Sequence, residues 1–123
     1  MPEQPRVSQK RILVAEDDAG ARASLNLLLR IDRHTVVEAT NGREALELFE
    51  KEPFDLVIVD YAMPEMQGGE LALHIRRIVP SQPIVMVTAY YEQVVGAEMP
   101  VDAIISKPFG VDALRQAMAK LLR

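Results

Sequence analysis

Five short apolar runs, separated by amphipathic segments, constrain the fold of this sequence more than any other feature. Four runs are strongly apolar and comprise residues 12–15, 56–59, 84–87 and 103–105. The fifth run, Val36-Val37, is shorter and weaker. They are too short for helices and are rich in β-branched residues. Because neighbouring positions are apolar, both faces of each run must be buried, which is typical of parallel strands covered by helices.

The segments between these runs carry helical patterns. We predict helices over residues 21–30, 41–51, 68–78 and 111–122, and a poorer one over residues 90–99 that contains Gly96 and stops before Pro100. Strand and helix therefore alternate five times, and right-handed crossovers give an α/β fold with a doubly wound parallel sheet. Such sheets bind ligands at the carboxyl ends of their strands.

Length, charge and composition exclude several classes of protein. The chain has 123 residues, a net charge of −4 and no cysteine, which indicates one acidic domain without disulfides or thiolate metal sites. An acidic chain is not expected to bind nucleic acid, and no apolar run is long enough to span a membrane. Residues 1–10 lack the apolar core of a signal peptide, so we expect a flexible arm, a domain over residues 11–123 and a cytoplasmic protein. The two histidines are too few for a zinc site and are expected at a helix surface or strand edge.

Polar residues follow the predicted strands at the point where each strand ends. They are Glu16-Asp17-Asp18, Asp60, Thr88 and Lys107. The carboxyl ends of parallel strands lie on one edge, so these side chains should converge. Carboxylates about 4 Å apart repel by roughly 4 kcal/mol at an effective dielectric of 20, and a divalent cation would relieve this. All-oxygen ligands favour a hard ion such as Mg²⁺, and an Asp carboxylate can form an aspartyl phosphate.

Several motifs at these strand ends resemble those of the receiver domains of two-component response regulators. They are residues 12–18 (ILVAEDD), 39–45 (ATNGREA), 55–64 (DLVIVDYAMP) with Gly68, 87–89 (VTA) and 106–109 (SKPF). The resemblance runs from about Arg11 to the end of the chain. It implies a flavodoxin-like (βα)5 fold with a five-stranded parallel sheet in the order 2-1-3-4-5.

The resemblance also implies a role for each residue of the constellation. Asp60 would be the phosphoacceptor, Thr88 and Lys107 would contact the phosphoryl oxygens, and the Lys107-Pro108 bond would be cis. Mg²⁺ would be the cofactor, held by Glu16, Asp17, Asp60 and the backbone carbonyl of Ala62. Asp18 would instead cap the following helix.

The implied activity is that of a signalling phosphoacceptor rather than an enzyme. A histidine kinase or phosphotransfer protein would supply the phosphoryl group from a phosphohistidine, and the domain would catalyse its own phosphorylation and dephosphorylation. An unknown downstream protein would bind the phosphorylated conformation. This chain itself would bind neither nucleic acid nor a membrane. We expect a monomer or a weak phosphorylation-dependent dimer, and either a stand-alone receiver or one cut from a longer protein.

Two departures from the family pattern concern the readout. The position three residues before Lys107, often aromatic in the family, is Ile104, so the aromatic switch is either lost or replaced by Tyr90 or Tyr91. Only 18 residues separate Thr88 from Lys107, fewer than usual, and the shortfall falls in the fourth helix. We therefore expect the common dimer through that face to be weakened or replaced.

The sequence leaves two alternative functions open. A pseudo-receiver, an interaction module that has lost phosphorylation, would usually lack one of the key acids or the lysine, and this chain keeps them. A Mg²⁺-dependent phosphohydrolase using Asp60 would often carry a second acid two residues later, where this chain has Ala62.

Overall fold

Strands and helices alternate along the whole of the part that the computed structural model describes, residues 9–122. The predicted arm lies almost entirely outside the described residues. The elements are β1 (Arg11–Ala15), α1 (Ala19–Ile31), β2 (Thr35–Ala39), α2 (Gly42–Lys51), β3 (Leu56–Asp60), α3 (Gly68–Ile78), β4 (Ile84–Thr88), α4 (Tyr91–Gly96), β5 (Ala103–Ser106) and α5 (Val111–Leu121). No helix within residues 9–122 is both long and apolar enough to cross a membrane.

The strands form one parallel sheet in the order β2-β1-β3-β4-β5, which confirms the predicted fold. The central strands β3 and β4 are buried at all five positions, as their continuous apolar sequences predict. The edge strand β2 was the weakest prediction because Thr35 and Glu38 face solvent, so its apolar run is interrupted.

Alternating strand residues feed two apolar layers, one on each face of the sheet. Ile12 and Val14 of β1 pack in the layer covered by α1 and α5, together with Leu25 and Leu114. Leu13 and Ala15 point to the opposite face, which α2, α3 and α4 cover. Burial on both faces pins the register of each strand and thereby fixes which residues reach the carboxyl edge.

Local hydrogen bonds set the starts of the first two helices. The Asp18 side chain accepts a bond from the backbone N–H of Ala21 (2.8 Å) and caps α1, as predicted. Asn41 likewise accepts from the N–H of Glu44 (2.8 Å) and caps α2. The fourth helix, by contrast, has only six residues and ends at Gly96, well short of the predicted residue 99.

The two histidines lie in different surroundings. His74 is on α3, partly exposed, 3.9 Å from Glu70. His34 lies directly before the edge strand β2, which agrees with the expected strand-edge position, but it is buried, and its Nδ1 accepts a bond from the backbone N–H of Lys10 (3.2 Å). A position beside an edge strand therefore does not expose His34 to solvent.

Candidate functional site

The polar residues predicted from the strand ends lie at one edge of the sheet. Asp60 and Thr88 are the last residues of β3 and β4, and Lys107 directly follows β5. Backbone hydrogen bonds continue the ladder past the strands: the N–H of Lys107 donates to the carbonyl of Thr88 (2.8 Å) and that of Glu16 to the carbonyl of Ala39 (3.1 Å). The backbones that carry these side chains are therefore held by the sheet itself.

Three of these side chains meet around a single ammonium group. Lys107 Nζ lies 2.7 Å from Glu16 Oε1 and 3.2 Å from Asp60 Oδ1. The Glu16 side chain is fully buried and that of Asp60 is 9 % exposed, so water screens these charges poorly. The Lys107-Pro108 bond that follows is cis, as expected.

This arrangement changes the acidity of both partners. Burial, together with hydrogen bonding to and charge repulsion from Glu16, raises the pKa of Asp60 from its ordinary value of 3.8 to about 7, although Lys107 acts in the opposite direction. Burial acts to lower the pKa of Lys107, but the hydrogen bond to Glu16 and the attraction of Asp60 outweigh it, so this pKa is raised. Asp60 is thus a carboxyl group whose negative charge is costly in this protein.

An all-oxygen group of acids lies at the same place. Ligand atoms of Glu16, Asp17 and Asp60 all lie within 4.8 Å of one another. Glu16 and Asp60 are buried, whereas Asp17 is exposed and faces the solvent from which an ion would arrive. Three carboxylates without nitrogen or sulfur ligands are a donor set suited to a hard divalent cation.

Arg22 on α1 supports the acidic loop in a way that the motif did not reveal. Its Nη1 donates to the carbonyl of Glu16 (2.8 Å) and more weakly to that of Asp17 (3.4 Å). The backbone N–H of Asp18 in turn donates to Glu16 Oε2 (3.3 Å). The loop after β1 is therefore tied to α1 at its backbone, which fixes where Glu16 and Asp17 lie.

The loop between β3 and α3 carries Ala62, the predicted carbonyl ligand, at an exposed position. The loop closes on itself, because the N–H of Gly68 donates to the carbonyl of Tyr61 (2.9 Å). A Cβ at Gly68 would collide with the carbonyl oxygen of Asp60 and lie 3.1 Å from the Cα of Tyr61. The sequence-based view of Gly68 as a loop-shaping residue agrees with this contact.

Thr88 lies at the same edge but interacts with the loop that follows it. It is fully buried, and its Oγ1 accepts a bond from the backbone N–H of Tyr90 (2.8 Å). The Tyr90 ring contacts that of Tyr61 edge to face, with the centroids 6.3 Å apart. An aromatic pair thus joins the residue after Asp60 to the loop after Thr88, while Ile104 packs on the core at the position where the family often has an aromatic residue.

Comparison with known proteins assigns the family. The family model described as response regulator receiver domain matches residues 12–119. The chain belongs to the response regulator receiver domain family. Every motif residue at the sheet edge lies within the matched range.

Curated relatives of this receiver domain are themselves response regulators. The response regulator receiver protein CpdR of Brucella abortus is 37 % identical over 116 residues, which cover 92 % of this chain and 97 % of CpdR. The response regulator MprA of Mycolicibacterium vanbaalenii is 36 % identical over 116 residues, covering 92 % of this chain but 50 % of MprA. The receiver domain thus spans half the length of some relatives and a quarter of others, such as GlrR of Escherichia coli.

Solved structures confirm the fold. The response regulator TrrA of Thermotoga maritima, solved in complex with Mg²⁺-BeF, has a TM-score of 0.85 and 35 % identity, covering 93 % of this chain and all of TrrA. The chemotaxis protein CheY4 of Vibrio cholerae has a TM-score of 0.83 and 27 % identity, covering 94 % of this chain and all of CheY4. Among the hypotheses based on the sequence, the receiver is supported and the pseudo-receiver is not favoured.

Proposed function

We propose that this receiver domain accepts a phosphoryl group on Asp60 from a phosphohistidine of a histidine kinase or phosphotransfer protein. The observation that carries the proposal is the charge arrangement around Asp60: its carboxylate lies 3.2 Å from Lys107 Nζ and within 4.8 Å of ligand atoms of Glu16 and Asp17. Phosphoryl transfer requires positioning and charge stabilisation rather than an elaborate set of acids and bases. This edge offers both.

The acidic group fits Mg²⁺ as the cofactor. Glu16, Asp17, Asp60 and the carbonyl of Ala62 would hold it, and the exposure of Asp17 leaves an open side. A bound Mg²⁺ would offset the negative charge of the transferred group. The structure of TrrA in complex with Mg²⁺-BeF supports the same ion for this chain.

In the proposed transfer, Asp60 is the nucleophile. One of its carboxylate oxygens forms a bond to phosphorus while the bond between phosphorus and the imidazole nitrogen breaks, and the electron pair of that bond stays with the nitrogen. Lys107, already 3.2 Å from Asp60 Oδ1, would donate to a phosphoryl oxygen. Water would later hydrolyse the acyl phosphate and restore Asp60. The domain would catalyse both steps itself, and its role is that of a switch rather than an enzyme.

Thr88 would carry the change out of the site. Its hydroxyl can donate to a phosphoryl oxygen, but turning toward Asp60 moves the Oγ1 that accepts from Tyr90 (2.8 Å). The β4–α4 loop and the Tyr61–Tyr90 ring contact then shift together. Phosphorylation would thus bias two arrangements of α4, and Tyr90 would take the place of the aromatic residue missing at Ile104.

The proposed partners are proteins. An apolar cleft of about 430 Å³, lined by Leu25, Leu28 and Phe109 among others, lies beside Glu16 and Lys107 and offers the phosphodonor protein a surface next to the site. We propose a cytoplasmic domain, monomeric or weakly dimeric upon phosphorylation, that binds neither nucleic acid nor membrane itself. Its downstream partner is a protein that distinguishes the two arrangements of α4.

A stoichiometric adduct tests the proposal. The protein is incubated with Mg²⁺ and acetyl phosphate, or with beryllofluoride, and compared with Asp60→Asn and with Asp112→Asn, a matched loss of one exposed carboxylate on α5. With acetyl phosphate we expect one phosphoryl group per chain, by intact mass, and with beryllofluoride one bound beryllofluoride per chain, in the wild type and in Asp112→Asn but not in Asp60→Asn. Wild-type protein that stays unmodified would support a pseudo-receiver, and repeated turnover of phosphomonoesters would support a hydrolase.

A further inference from the structure

Gly42, the first residue of α2, lies directly against the loop that carries Ala62. Gly42 is buried, and a Cβ added there would collide with the carbonyl oxygen of Met66 and lie 2.6 Å from the Met66 Cβ. Its backbone is outside the positive-φ region, so a larger residue is excluded by the closeness of Met66 and not by the dihedral angles. The start of α2 and the end of the β3–α3 loop are therefore in backbone contact.

The α2 side of this contact is firmly held. Asn41 caps the helix through the N–H of Glu44 (2.8 Å), and Glu44 Oε1 accepts in return from the N–H of Thr40 (2.6 Å). Ala45 is fully buried against the sheet. Ala39, two residues before the cap, accepts the N–H of Glu16 through its carbonyl (3.1 Å). The beginning of α2 is thus tied to the strand edge that bears the acids.

The loop side has fewer supports. Residues 61–67 form bends rather than a helix or strand, and the N–H of Met66 donates to the carbonyl of Pro64 (2.8 Å) inside the loop. Glu65 has a φ of 67°, an uncommon conformation for a residue other than glycine, so the loop already contains a strained position. Anything pushed into the Met66 contact would displace this loop before it displaced α2.

We propose that Gly42 is a positioning residue for the cation site: its backbone seats Met66 and thereby places the carbonyl of Ala62. The inference rests on the proposed function, in which that carbonyl is a ligand of Mg²⁺. The contact of Gly68 with Asp60 joins the two ends of the loop, and Gly42 holds it at Met66, shortly before its end. The sequence motif around Asn41 thus acts at the site without contributing a side chain to it.

The test measures Mg²⁺ affinity and stability separately. In Gly42→Ala the added methyl displaces Met66, and we expect Mg²⁺ to bind about tenfold more weakly by calorimetry, as is typical when a ligand's support is lost. The free energy of unfolding is measured in urea with EDTA for the same variants. Alanine is a better helix former than glycine, so the substitution can change stability by itself, and a change of that kind does not depend on Mg²⁺. Gly96→Ala is the matched control, since a Cβ there meets nothing within 4 Å, and its Mg²⁺ affinity should not change.

A measurement on the wild type covers the case in which Gly42→Ala fails to fold. Coupling between two sites is reciprocal, so Mg²⁺ binding should affect the surroundings of Gly42. In an NMR titration with Mg²⁺, the amide signal of Gly42 should shift and give the same dissociation constant as the ion, whereas the signals of Gly96 and Gly110 should not shift. A folded Gly42→Ala with unchanged Mg²⁺ affinity, or a Gly42 signal that moves no more than the other two, would overturn the inference. A wild type that binds no Mg²⁺ would instead refute the proposed function.

Discussion

Replacing Asp60 by asparagine should stabilise the metal-free protein, and should do so more at high pH. The pKa of Asp60 is raised by burial and by Glu16 from 3.8 to about 7. A carboxyl group whose folded-state pKa exceeds its unfolded value favours the folded state least when it is ionised. Between pH 4 and 7 the folded protein keeps a proton that the unfolded chain has lost, so stability falls as the pH rises through this range and stays low above it.

The size of the effect follows from the two pKa values. Each pH unit between them contributes about 1.4 kcal/mol, so ionisable Asp60 costs roughly 2 kcal/mol at pH 5 and roughly 4 kcal/mol at pH 8. Asparagine does not titrate, and Lys107 keeps its 2.7 Å contact with Glu16 in the variant. The advantage of Asp60→Asn over the wild type should therefore grow by roughly 2 to 3 kcal/mol between pH 5 and pH 8.

Urea unfolding at both pH values, with EDTA present, measures this difference. Asp112→Asn is the control for loss of one negative charge, and because that side chain is exposed its effect should stay within about 0.5 kcal/mol at either pH. If Asp60→Asn were less stable than the wild type at pH 8, or if its advantage did not depend on pH, the ionisation of Asp60 would not be costly and the reasoning from burial and Glu16 would be wrong.

Three further substitutions test two contacts at the site and one between α1 and α5. Thr88→Val should lower the free energy of unfolding by about 1 kcal/mol, because the N–H of Tyr90 loses its acceptor. Asp60 should still be phosphorylated, but the amide NMR signals of α4 should no longer change on phosphorylation. Signals of α4 that still move would argue against Thr88 as the link. Gly68→Ala should cost about 2 kcal/mol in urea unfolding and slow adduct formation, because its methyl collides with the Asp60 carbonyl, and a neutral result would contradict this packing. Arg115→Lys should lower the melting temperature, because Arg115 donates to both carboxylate oxygens of Asp32 (2.8 and 2.9 Å) and lysine cannot make both bonds. An unchanged melting temperature would show that this ion pair does not contribute to stability.

The sheet was predictable because burial on both faces leaves a strong mark on the sequence. β3 and β4 are apolar at successive positions, and the structure buries all of them. β2 is an edge strand with exposed Thr35 and Glu38, so its pattern is diluted. The short α4 could be suspected from Gly96 and Pro100, but its end could not be located, because it is set by a backbone hydrogen bond from the N–H of Ala97 to the carbonyl of Val94.

The site was predictable as a set of strand ends but not as a set of contacts. The side chains of Glu16, Asp60 and Lys107 converge because β1, β3 and β5 are parallel in one sheet. Lys107 contacts both Glu16 and Asp60. This pairing depends on the length and conformation of the side chains, which the order of the strands does not determine. The bonds that Arg22 makes to the Glu16 and Asp17 carbonyls have no signal in the sequence beyond an arginine one turn into α1.

The chemistry of Asp60 and its cost to the fold have the same physical origin. The burial that makes its ionised form unfavourable also limits the water around Glu16 and Asp60, so the charges of Glu16 and Lys107 act on Asp60 with less screening than at the surface. A proton on Asp60 relieves the repulsion from Glu16 but would remove the proposed nucleophile, whereas a cation held by Glu16 and Asp17 would relieve the same repulsion and leave the carboxylate free to react. Proton and cation are thus alternative ways of neutralising one edge of the sheet, and only the second is compatible with accepting a phosphoryl group.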